Sequence, residues 1–144
     1  AAARKYLGRE RLMEVHIPIL DCRWNDVLHL TPLNPSKTKA ALVAAGLTIR
    51  DLRFFVIPPA LLAAGHAVVF ANSADTGGRY DFSPKDFRPF EPATYAELET
   101  VPEDQARIFV EAGRRGERPL LWGRTPHVFY RGSLDVRGLE VIAW

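Results

Sequence analysis

The chain has 144 residues, 47% hydrophobic and 25% charged, with a formal net charge of +2 and one cysteine. A chain of this length buries on the order of two thirds of the surface its unfolded form exposes, so it needs no disulfide or metal staple. Its apolar content excludes intrinsic disorder, and its glycine and proline content excludes collagen-like or low-complexity sequence.

Residues 1–72 carry nine Lys/Arg and five Asp/Glu, whereas 73–144 carry ten against twelve. So small a balance gives no electrostatic support for a polyanion or a membrane surface as partner. No apolar run reaches the roughly 18–20 residues of a membrane helix. The positive start Ala1 to Lys5 lacks the apolar stretch of a secretory signal. With a lone thiol, Cys22, these features give a cytoplasmic expectation.

Residues 1–14 read as a helical extension or an upstream linker to a single domain spanning 1–144, because Gly8 interrupts an otherwise helix-permissive stretch. Apolar alternation in Val15–Leu20 predicts a strand with Val15, Ile17 and Ile19 on one face, at a sheet edge because Pro18 cannot donate. Val27–Thr31 predicts a second strand, with Leu28 and Leu30 inward. If the two pair, His16 and His29 become cross-strand neighbours.

Asn34, Pro35 and Gly46 then mark the cap, first turn and stop of a helix with Ala40, Val43, Ala44 and Leu47 as its buried stripe. Leu52–Ile57 is a strand ended by Pro58-Pro59, a short helix runs from Pro59 to Ala64, and Ala67–Ala71 is a central strand buried on both faces.

Residues 72–92, with Gly77, Gly78, Pro84, Pro89 and Pro92, read as a long loop. Capping boxes at Thr94/Glu97 and Thr100/Glu103 start a turn and a helix, the latter stopping at Gly113 with Val101, Ala106, Phe109 and either Ala112 or Val110 inside. Pro119–Trp122, His127–Arg131 and Leu139–Ala143 close the chain as antiparallel strands. The sum is an α+β fold: a mixed, largely antiparallel sheet of about five to seven strands with two or three packed helices.

The sequence lacks a phosphate-binding Gly-x-x-x-x-Gly-Lys-Ser/Thr loop, a Gly-x-Gly-x-x-Gly turn and a Gly-x-Ser-x-Gly elbow. Four scattered histidines and one cysteine do not make a zinc site, so neither metal nor cofactor is expected.

Two clusters carry candidate function. The first is Arg79, Tyr80, Phe82, Lys85, Phe87, Arg88 and Phe90, in which aromatic rings alternate with cations while Asp81, Asp86 and Glu91 cancel the charge. Such a loop is either pinned to the body by its rings or holds a partner, and zero net charge suits a protein better than a nucleic acid. The second is His127, Tyr130 and Arg131, where strand alternation puts His127 and Arg131 on one face. A histidine base beside an arginine is a minimal set for metal-independent phosphodiester chemistry.

The expectation is therefore a non-enzymatic binding or accessory domain that recognises a protein partner through the aromatic-rich loop. The alternative is a small metal-independent enzyme, a nuclease or phosphotransfer toxin-like domain, with His127 as base and Arg131, Arg79 or Lys85 as anion anchors. A subunit that buries its strand edges in an oligomer is a third reading.

Overall fold

The computed structural model describes residues 6–144, so the expectation for residues 1–5 lies outside the described residues. The described residues form two α-helices and eight short strands in three antiparallel sheets, in place of one sheet of five to seven. The strands are β1 (His16–Ile17), β2 (Cys22–Arg23), β3 (Leu28–Leu30), β4 (Arg53–Phe55), β5 (Ala67–Phe70), β6 (Phe87–Pro89), β7 (His127–Tyr130) and β8 (Val141–Ala143). The helices are α1 (Pro35–Ala44) and α2 (Glu103–Arg115).

The central sheet has the order β3-β7-β5-β6, while β1-β2 and β4-β8 form separate pairs. All four residues of β5 are buried, as its unbroken apolar run requires. One face of this sheet packs Val68, Phe70, Phe87 and Phe129 against Ile17 and Trp24. Removing Phe70 or Phe129 from water contributes on the order of 2–3 kcal/mol each. The other face packs Val69, Val128 and Tyr130 against Leu62 and Phe90.

A third cluster lies between the helices and the β4-β8 pair, around Leu42, Phe109 and Trp144. Trp144 stacks on Trp122 with ring centroids 6.2 Å apart, and its Nε1–H donates to the Arg50 carbonyl at 2.6 Å.

Several local expectations are corrected by tertiary contacts. After Ile17 the chain turns through Ile19 and Asp21 at positive φ, so the predicted strand Val15–Leu20 is a two-residue arm of a hairpin and Ile19 faces solvent. His16 therefore sits across from Arg23, and β3 pairs with β7, so the His16–His29 pairing does not form. Asn34 caps α1 as expected, accepting from the Ser36 amide at 3.0 Å. The helix is rotated, however: Thr38 and Leu42 are buried, whereas Ala40, Val43 and Ala44 are exposed.

The cause is α2. A Cβ at Gly113 would fall on the Ala45 carbonyl oxygen, so that glycine lets the two helices approach closely rather than ending α2. The helix runs on to Arg115 and stops at Gly116, at φ 67°. Its start has no side-chain cap bond, so the Thr100/Glu103 box does not form.

Pro119–Trp122 is not a strand, because Gln105 takes its hydrogen bonds. The buried amide donates to the Leu120 carbonyl at 2.8 Å and accepts from the Arg124 amide at 2.7 Å. Finally, Leu139–Ala143 pairs as β8 with β4 rather than with its sequence neighbour β7, and residues 87–89 of the predicted loop form the edge strand β6.

Candidate functional site

The residues of the aromatic loop lie mostly against the body. Ser83 and Asp86 form a capping box around a single turn at 84–86, and the Asp86 carbonyl accepts from the Ala71 amide at 2.8 Å. This ties the loop to the end of β5. Phe82 lies parallel to Trp24 at 5.9 Å, and Phe87 lies parallel to Phe70 at 4.9 Å. Phe87 and Phe90 are buried and Tyr80 and Phe82 half-buried, so the outward surface of the loop is made by Arg79, Lys85 and Arg88 with Asp81, Ser83, Pro84 and Pro89. Arg79 and Tyr80 line a small recess with Arg11, Glu14 and Val15.

The second cluster is divided by the sheet. His127 lies on the Trp24 face, with its ring 5.8 Å from Phe129 and 6.2 Å from His29. Burial, and secondarily His29, lower its pKa to about 4, with the Thr125 carbonyl offsetting part of the shift. Tyr130 is buried on the opposite face. Arg131 turns its Nη1 to the Leu20 carbonyl at 2.8 Å and so fastens the β1-β2 turn to the end of β7. The structure thus brings His127, Tyr130 and Arg131 into neighbouring positions on one strand but not into one recess with the 79–90 loop.

Another concavity lies elsewhere. A cleft of about 840 Å³ opens between the central sheet and the β4-β8 pair, within the roughly 300–1,000 Å³ of typical binding pockets. One wall is β3 and the segment to Pro35, the other is Arg53–Pro59, and Phe90, Tyr95 and Glu97 are among the other lining residues.

Two long-range ties hold the 91–98 segment in place: the Leu98 amide donates to the Pro32 carbonyl at 2.8 Å, and Lys37 Nζ donates to the Leu98 carbonyl at 3.0 Å. Burial raises the pKa of the Tyr95 hydroxyl, keeping it a neutral donor. Leu28, Phe55 and Val136 line the cleft while remaining 40%, 52% and 36% exposed, and Val141, across from Phe55 in the β4-β8 register, is 47% exposed. Of the sequence candidates, only Phe90 lines it.

Among the described residues, no group of three His, Cys, Asp or Glu side chains could hold a metal ion, and no helix is long and apolar enough to cross a membrane. Comparison with protein-family models, curated proteins and solved structures gives no match to this chain.

The inward position expected for Leu28 is corrected, since its side chain is 40% exposed at the cleft, and Phe55 is not marked by the sequence because consecutive apolar residues such as Phe54-Phe55-Val56-Ile57 look the same in a covered strand and in an open one. The signal that was present is Pro58-Pro59, which ends pairing immediately after them.

Proposed function

We propose that the protein is a binding domain that holds a segment of a protein partner in the cleft between its two sheets. One observation carries this reading: large apolar side chains, Leu28, Phe55 and Val136, stand open to solvent around one concavity. Leaving such side chains exposed together is unfavourable in a free monomer and is characteristic of a surface that is covered in use. The aromatic loop supports the same site indirectly, since Phe90 forms part of its wall while the other rings of that loop are spent on the core. No observation favours the metal-independent enzyme, because His127 and Arg131 are engaged in packing and in a main-chain hydrogen bond.

The test is selection of a random phage-displayed peptide library on the immobilised protein. Enriched peptides are expected to bind the native chain and to lose at least tenfold in affinity for Phe55→Ser. Failure to enrich any peptide, or enrichment indifferent to Phe55→Ser and to Val136→Ser, overturns the reading. Saturable binding of a small organic molecule at Phe55 with no peptide competition does so too.

A further inference from the structure

The hydrogen-bond register of β4 says how such a segment is held. The Val56 amide donates to the Glu140 carbonyl at 2.9 Å, and the Trp144 amide donates to the Leu52 carbonyl at 3.1 Å. Arg53 pairs with Ala143, Phe54 with Ile142 and Phe55 with Val141. In an antiparallel pair the hydrogen-bonded positions alternate, so Leu52, Phe54 and Val56 turn their main-chain groups toward β8. Arg53, Phe55 and Ile57 must turn theirs the other way.

Among the described residues, no backbone or side-chain hydrogen bond reaches the amides or carbonyls of Arg53, Phe55 or Ile57. Every residue from Arg53 to Pro59 lines the cleft, whereas β8 contributes only Ile142. The cleft therefore runs along the open side of β4.

The outer strand β6 of the central sheet shows what a closed edge looks like. In β6 the same alternation, fixed by the Ala71–Asp86 and Phe90–Ala67 bonds, turns Phe87 and Pro89 outward. Pro89 has no N–H to offer, and proline is a common means of blunting an edge. β4 carries no such device until Pro58, and it presents Phe55 to solvent beside its open donors and acceptors.

Resting on the reading of the cleft as a protein-binding site, we infer that the partner segment adds to β4 as an extended strand. It pairs with the main chain of Arg53, Phe55 and Ile57 and lays alternate apolar side chains into the cleft. Outward main-chain groups recur at every second residue, about 7 Å apart, which is the repeat of another extended peptide. A compact small molecule would satisfy only one such pair of groups.

Charge sets one further requirement. Arg53 is exposed at the start of the edge and, among the described residues, has no carboxylate within ion-pair distance. An acidic side chain or a terminal carboxylate of the partner at that end is its complement. The recognised sequence is thus a short extended stretch, apolar at every second position, with an acid near Arg53. Strand addition of this kind draws affinity from the main chain and specificity from the alternate pockets.

The experiment uses the selected peptides in two forms, unmodified and N-methylated at single alternate positions, together with hydrogen exchange of the whole protein. The expected result is protection of the Phe55 and Ile57 amides on binding and at least a tenfold loss of affinity on N-methylation at every second position only. Arg53→Glu is expected to reverse the preference for an acid in the peptide.

Peptides that bind in a Phe55-dependent way, yet leave those amides unprotected and tolerate every N-methyl group, overturn strand addition while the cleft remains a protein site. Absence of any peptide binding overturns the underlying reading instead. Sedimentation showing that a second copy of this chain occupies the β4 edge, abolished by Phe55→Ser, overturns the choice of partner.

Discussion

His29 on β3 and His127 on β7 place their imidazole rings edge to face, 6.2 Å apart, on the same side of Phe129. His29 donates from Nε2 to the Trp24 carbonyl at 3.0 Å. His127 is held neutral by its burial, and a proton on either ring works against a proton on the other.

Stability should fall as the solution is acidified from about pH 6.5 toward pH 4. The pKa of His127 is about 4 in the folded chain against 6.5 when unfolded, so in this window the unfolded state takes up the proton first. The loss is complete below about pH 4 and amounts to roughly 3–4 kcal/mol. The lowered carboxyls of Glu10, Asp75 and Asp135 add to the loss only from about pH 5 downward. Urea unfolding at pH 7.5, 5.5 and 4 checks this; His127→Gln should flatten the profile, and an unchanged slope in the variant would sink the assignment.

Gly113→Ala should destabilise the protein even though alanine is the better helix former. Propensity favours the change by about 1 kcal/mol, but the added methyl collides with the carbonyl of Ala45, the residue that caps the end of α1, which must shift with its packing on Phe109. Forced overpacking costs roughly 1–3 kcal/mol, so the net change is expected to be negative. A gain in denaturation midpoint would show that the helices do not meet here.

Gln105→Leu leaves the Leu120 carbonyl and the Arg124 amide without their partner and should cost about 2–4 kcal/mol. Hydrogen exchange should localise the damage to residues 118–126. Uniform loss of protection across the domain, with no local component, would contradict the role given to this amide.

Cys22 is buried at 6% exposure, and burial raises its thiol pKa. It should be nearly inert to a chromogenic disulfide at pH 8 and react fully in denaturant. Fast stoichiometric reaction in the native state would mean that the β1-β2 hairpin opens readily.

Elements governed by local chemistry are legible in the sequence. Asn34 and Pro35 open α1, Pro58 ends the β4 segment, and the uninterrupted apolar run at 67–70 does become the buried middle of the sheet. Elements governed by distant partners are not. Gly113 reads as a helix stop until Ala45 is brought against it, and Pro119–Trp122 reads as a strand until Gln105 claims its main chain.

The site shows the same division. Aromatic richness drew notice to Tyr80, Phe82, Phe87 and Phe90, yet rings in a proline-rich loop are what a core recruits first. An open strand edge such as that of β4 depends on which strand fails to arrive beside it, and no local pattern records an absent neighbour.

The tryptophans divide between the hydrophobic clusters: Trp24 belongs to the central sheet, whereas Trp122 and Trp144 lie nearly parallel beside the helices. The chain is thus a two-channel optical reporter of its own cooperativity. Emission from Trp24 follows the sheet, and the stacked indole pair follows the helical layer against which β4 is set. Replacing Trp24 by phenylalanine isolates the second signal, and whether the two melt together tells how far an event at the β4 edge is felt on the far side of the sheet.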